Sequence, residues 1–231
     1  MKRRQFNAFA TLACTSVASS AVLAADEPIK IRLAHSLSAT EPAHLAAEFF
    51  AKNVAEKTKG RVQIQVFPGE QLGSGKEVNE MIRQGANVMN ITDHGYLSDF
   101  VPDIGILAGP YLVKDAADFN KILASAWYRS IEAQLEKANI RLILSNGFFG
   151  QRHLLASKPV SKPEDMAGMT LRVPPNPMWI ETFKAIGARP TTIQWSEVYS
   201  ALQQNVVEAV EAPVGSLYGS KLHETRKVLS L

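Results

Sequence analysis

The run IKIRLAHSLSATEPAHLAAEFFAKNVAEKTKGRVQIQVF, residues 29–67, alternates, then winds, then alternates again. Ile29, Ile31 and Leu33 are separated by Lys30 and Arg32, the period-two pattern of a strand. Pro42 suits the first turn of a helix, where a missing N–H costs nothing, and predicts a helix from there to about Lys59. Leu45 and Phe49 stand four residues apart, with Phe50 and Val54 beside them, so that face is expected to be the core face. Gly60 ends the helix. Val62, Ile64 and Val66 fall on one side of a second strand over 61–67, which Pro68-Gly69 breaks. A short helix over 75–84 and a short apolar strand over 88–92 complete a β-α-β-α-β order. That order argues for a layered α/β domain.

Downstream the pattern loosens. Residues 99–111 are apolar but carry Pro102, Gly105, Gly109 and Pro110, and read as a buried, irregular connection. Residues 115–138 read as the longest helix, with Phe119, Ile122, Leu123, Ala126, Ile131 and Leu135 on one face, and 140–144 as a strand. From Asn146-Gly-Phe-Phe-Gly150 a second segment begins. It carries strands at 153–156, 171–173 and 206–210, helices at 177–186 and 195–205, and the beginning of a strand after Lys221. The chain therefore divides into two α/β lobes, 25–147 and 148–231.

Upstream, residues 1–24 have a basic tip (Lys2, Arg3, Arg4), an apolar middle and a small-residue end at Val22-Leu23-Ala24, the layout of a secretory signal. Arg3-Arg4-Gln5-Phe6 fits either a twin-arginine signal or an ordinary one with two arginines. Cleavage after Ala24 leaves 207 residues with 22 basic against 22 acidic side chains, so the formal charge of +3 belongs to the leader. A neutral mature chain gives no nucleic-acid footprint. Cys14, the single cysteine, leaves with the leader and takes disulfide, thiolate and cysteine–metal chemistry with it. Thr11-Leu12-Ala13 before it is a poor lipidation signal, and the leader is too rich in Ser, Thr and Ala for a membrane span. The mature chain is expected in the periplasm without stable membrane insertion.

Several chemistries fail on spacing. Gly75-Lys76 suggests a phosphate loop, but Glu70 stands where its first glycine belongs and Glu77 where its Ser or Thr belongs. His223-Glu224 opens a zinc-helix motif that Lys227 ends. The five histidines are scattered without ligand spacing, so no metal or other cofactor is expected. No Gly-x-Ser-x-Gly elbow is present. A dispersed Ser-His-Asp triad has no fixed spacing, which leaves a secreted hydrolase as the alternative function, and a non-binding remnant as a third.

What remains is a set of recognition residues. Arg172 sits in the short apolar strand Leu171-Arg172-Val173, stopped by Pro174-Pro175. It reads either as an edge-strand or ion-paired arginine, or as a planar fork aimed into a cleft to hold a carboxylate. Arg152, at the lobe junction, is either a second charge contact or a solvated loop residue. Trp195 and Trp179 are broad plates that wall a cleft or fill a core. Asn176, Glu211 and Tyr218 lie near element ends and are candidate contacts.

The chain also resembles a known family. Arg152-His-Leu, Lys162-Pro-Glu-Asp-Met-Ala-Gly168, Leu171-Arg-Val-Pro174, Trp195-Ser-Glu-Val-Tyr-Ser-Ala-Leu-Gln203, Glu211-Ala-Pro213 and Phe67-Pro-Gly-Glu-Gln-Leu-Gly73, with Gly85, are similar to the solute-binding subunits of tripartite ATP-independent periplasmic (TRAP) transporters, of the dicarboxylate-binding type. The resemblance implies a two-lobed, type II-like periplasmic binding fold that closes on a small organic acid and hands it to TRAP permease subunits. It implies that Arg172 grips the carboxylate, that Arg152 assists, and that Trp195 packs on the ligand. The family commonly has Asn where this chain has Ala212, which implies a ligand other than the commonest acid. Family members continue through segments that return to the first lobe, so truncation at the C-terminus is expected, with exposed core faces that favour aggregation.

Overall fold

The computed structural model describes residues 27–231, so the leader read at 1–24 lies outside it. Strands β1 (Ile29–Ala34), β2 (Val62–Phe67) and β3 (Val88–Asn90) form a parallel sheet in the order β2-β1-β3. Helices α1 (Pro42–Lys57) and α2 (Gly75–Arg83) make the crossovers. Ser74 starts α2 with a capping box: its hydroxyl accepts from the Glu77 amide, and the Glu77 carboxylate accepts from the Ser74 amide at 2.7 Å.

The face of α1 is a correction. Leu45 and Phe49, expected in the core, are 61% and 69% exposed, while Ala47 and Ala51 are buried. The helix packs against β2. Small side chains let a helix axis approach a sheet closely, and periodicity alone does not say which of two stripes does so.

The expected helix over 115–138 is two helices, α3 (Ala116–Leu123) and α4 (Ala126–Lys137). Ser125 makes the break, its hydroxyl accepting from the Tyr128 amide at 3.1 Å and capping a new helix instead of continuing the old one. Ile131 and Leu135 then pack with Leu97, Val101, Ile104 and Ile140. Residues 99–111 are less irregular than expected: Pro102–Ala108 is a 3-10 helix with Ile104 buried, but Ile106 and Tyr111 are exposed. No strand forms over 140–144, where Ile143 and Leu144 are exposed and no neighbouring strand offers hydrogen bonds.

The second sheet has the order β6-β5-β7-β4-β8. It comprises β4 (Arg152–Ala156), β5 (Thr170–Val173), β6 (Arg189–Thr192), β7 (Ala209–Pro213) and β8 (Val228–Ser230). Helices α5 (Pro177–Ala185), α6 (Val198–Gln203) and α7 (Val214–Gly219) complete it. β5 runs parallel to β6 and β7, and β4 antiparallel to β7 and β8. β6 was not anticipated: Pro190 removes a ladder donor, which an edge strand tolerates. The strand expected over 206–210 lies three residues later. Leu155, Val198, Leu202 and Val210 fill one side of this sheet, and Leu171, Val173, Ala156 and Ala209 the other. Two α/β lobes result, as expected.

Two histidines predict a pH-dependent stability. His35 is 2% exposed, and burial followed by the neighbouring His44 ring holds its pKa below the usual 6.5. Burial also lowers His94, against the opposing pull of Asp93. Below about 6.5 the unfolded chain takes up protons that the folded chain refuses, so stability present at neutral pH is lost as pH falls. The melting temperature is expected to drop between pH 7.5 and 5.5, and His35→Gln to flatten that slope.

Candidate functional site

The ends of the parallel strands converge where the lobes meet. Glu70 follows β2, Asp93 and Tyr96 follow β3, Arg172 lies near the end of β5, and Trp195 follows β6. In open α/β sheets ligands settle beyond the carboxyl ends of strands, where loops rather than side-chain layers face each other.

Arg172 is not on an edge. Its strand has neighbours on both sides, and the residue is 3% exposed. Its Nε donates to the Ile193 carbonyl at 2.9 Å, and its guanidinium carbon stands 5.1 Å over the Trp195 ring. Among the described residues no carboxylate lies within ion-pair distance of it. Burial pushes its pKa down, while Tyr96, Glu211 and Glu70 favour the charged form. The intrinsic basicity of a guanidinium keeps it a cation. Trp195 is itself held, its indole N–H donating to Ser220 at 3.2 Å.

Arg152 is different. Its fork is already occupied by the Glu211 carboxylate, with Nη2–Oε1 at 2.8 Å and Nε donating to the other oxygen. The Trp179 indole N–H donates to the same carboxylate at 2.9 Å, and the Arg152 guanidinium lies 5.2 Å over the Trp179 ring. Burial works against the Arg152 charge, but Glu211 outweighs it and raises the pKa. Strand pleating explains the separation. Arg172 pairs with Val210 in register, whereas Arg152 is opposite Pro213, two residues from Glu211, so the two arginines leave opposite faces of the sheet.

The first lobe closes over this end at three places. Glu70 accepts from the Ser196 amide at 3.2 Å and from its hydroxyl. The turn that delivers it puts both Gly69 and Glu70 in the left-handed region. On another side Glu41, 1% exposed, accepts from the Ser216 hydroxyl at 2.6 Å and the Ser38 amide at 3.0 Å. The third is Gly95 against Asn176, which is 2% exposed and caps α5 by accepting from the Met178 amide at 2.9 Å. A Cβ on Gly95 would stand 1.6 Å from Asn176 Nδ2. Gly95→Ala is therefore expected to hold the lobes apart, weakening ligand binding by tenfold or more while each lobe stays folded. Calorimetry beside small-angle scattering reads both effects.

Of the expected contacts, Arg172, Arg152, Trp195, Trp179, Glu211 and Asn176 are brought to this end of the second sheet. Tyr218 is not: it is 71% exposed and stacks on His223 at 4.8 Å. Ala212 packs with Leu155, Val198 and Leu202 in the core. Glu70, Asp93, Tyr96, Glu41 and Gly95 were missed. Their only signal is position: Glu70 and Asp93 lie in turns after β2 and β3, Glu41 just before α1, and Gly95 and Tyr96 in the 3-10 helix His94–Leu97 that follows β3.

This arrangement coincides with a family match. The model of the bacterial extracellular solute-binding proteins, family 7, matches residues 33–231. The chain belongs to that family. The family comprises the solute-binding proteins of TRAP transporters, and the periplasmic location read from the leader agrees with it. As a binding family it sets the hydrolase alternative aside.

Among solved structures, a TRAP periplasmic solute-binding protein from Ochrobacterium anthropi with bound L-fuconate is 36% identical, with a TM-score of 0.85 over 87% of this chain and 67% of that one. One from Actinobacillus succinogenes 130z with bound L-galactonate is also 36% identical, with a TM-score of 0.84 over 87% of this chain and 66% of that one. An uncharacterized Sinorhizobium fredii protein is 35% identical over 93% of this chain. The chain spans 41% of that relative and about two thirds of the two TRAP proteins. Among the described residues, no His, Cys, Asp and Glu cluster is placed to hold a metal ion, and no helix is long and apolar enough to cross a membrane.

Proposed function

We propose that this TRAP solute-binding chain takes up a small organic carboxylate between lobes 25–147 and 148–231, pairs the carboxylate with Arg172, and delivers the solute to a TRAP membrane permease. The observation that carries this reading is the Arg172 guanidinium: almost wholly buried at the lobe junction, backed by Trp195, and with no carboxylate in ion-pair reach among the described residues. A buried cation without a counter-ion is costly, and a ligand carboxylate offering two parallel acceptors relieves that cost. The L-fuconate and L-galactonate of the two related proteins are carboxylates too. Closure brings Glu70 to Ser196 and Gly95 to Asn176, excluding water and strengthening the Arg172–carboxylate attraction. The ligand then shifts the open–closed equilibrium by its greater affinity for the closed form. Trp195 braces the guanidinium, and Arg152 with Glu211 and Trp179 stiffens the opposite face.

The test is a panel of organic acids examined by melting temperature, with calorimetry and small-angle scattering on those that respond. At least one acid is expected to raise the melting temperature and reduce the radius of gyration. If no acid moves either quantity in a folded sample, the reading fails.

A further inference from the structure

We infer that Glu211 is a specificity determinant that restricts the cleft to acids bearing a single carboxylate and several hydroxyl groups, and turns dicarboxylates away. This rests on the carboxylate reading above and deepens it.

Five ionisable groups surround the junction: Arg152 and Arg172 against Glu70, Asp93 and Glu211. Tyr96 stays neutral, because burial raises its pKa. Formally the set is one negative charge in excess. Glu211 holds both arms of the Arg152 fork and also accepts from Trp179, so that cation is spent inside the protein. Of these two arginines, Arg172 is the one whose fork holds no carboxylate among the described residues. One ligand carboxylate therefore finds a partner. A second would be left without a free cation of its own, beside the negative charges of Glu70 and Asp93 that already act on the two arginines.

The same groups favour hydroxyls. Glu70 Oε2 takes both bonds from Ser196, and Asp93 Oδ1 takes the Gly95 amide at 2.7 Å. Glu70 Oε1 and Asp93 Oδ2 have no donor among the described residues. Carboxylate oxygens accept only, so their complement on a ligand is an O–H. A polyhydroxylated monocarboxylate supplies one anion for Arg172 and donors for these acceptors. A dicarboxylate of the same length supplies one anion too many and one donor too few.

The experiment compares calorimetric affinities for acids of matched carbon number: six-carbon aldonates against the corresponding aldarates, and four-carbon hydroxy monoacids against succinate and malate. Monoacids are expected to bind at least tenfold tighter than their dicarboxylate counterparts. Glu211→Gln, which removes the charge and releases Arg152, is expected to shrink that preference by tenfold or more, mainly through a gain for dicarboxylates. Dicarboxylates binding as tightly as monoacids to the unaltered protein would overturn the inference while leaving the carboxylate reading intact. An unchanged preference in a folded Glu211→Gln protein would overturn the role of Glu211. Binding of neither class would remove both.

Discussion

Arg172→Ala is expected to lose ligand affinity by about two to three and a half decades. Breaking a buried charge pair from one side costs roughly 3–5 kcal/mol, and each ~1.4 kcal/mol is tenfold in affinity. The full cost applies here because the residue is 3% exposed and, among the described residues, no carboxylate stands in for the ligand. Stability should move the other way. Without ligand, Arg172 is a desolvated cation held by one carbonyl and an indole face. Arg172→Met keeps most of the volume, removes the charge and is expected to leave the ligand-free melting temperature equal or higher, with binding still lost. Calorimetry and thermal denaturation on the two variants separate the effects. Near-normal affinity in either variant would reject the assigned role, and a large fall in ligand-free stability would show that the guanidinium is structural.

How far the sequence carried this reading depends on the kind of signal. Alternation between Ile29 and Leu33 and again over 61–67 placed β1 and β2, because a strand's period is written in consecutive residues. Pro42 and Gly60 marked the ends of α1, but its buried face went to Ala47 and Ala51. A helix with two stripes is oriented by what the sheet admits, and that is tertiary information. Ser125 split the helix expected over 115–138, since one hydroxyl competing for a backbone amide outweighs a shared apolar face. At the site, Arg172 stood out because a charge in a short apolar strand is anomalous locally. The capture of Arg152 by Glu211 joins residues 59 positions apart through an antiparallel pairing, and nothing near Arg152 announces it. Glu70 and Asp93 are ordinary loop carboxylates until the second lobe is placed opposite them.

The second large effect follows from that capture. Arg152→Met is expected to destabilise the fold by about 2–3 kcal/mol, less than the ~3–5 kcal/mol for a fully buried pair because Arg152 retains 32% of its side-chain exposure. Its partner suffers more than it does. Glu211 is 5% exposed, and without the fork it keeps only the Trp179 indole as a side-chain donor. Removing both charges together, in Arg152→Met with Glu211→Leu, leaves no stranded carboxylate and adds apolar surface between β4 and β7. Such replacements of an ion pair are often neutral, so the double variant is expected to recover most of the loss. The coupling between the two sites, read from urea denaturation of the four proteins, should then be about 2 kcal/mol, well above the few tenths typical of independent positions. Additive effects would mean that the fork and the carboxylate do not stabilise each other. Arg152 would then be available as a second anchor, the cleft would hold two free cations instead of one, and a dicarboxylate would fit it better than a monoacid.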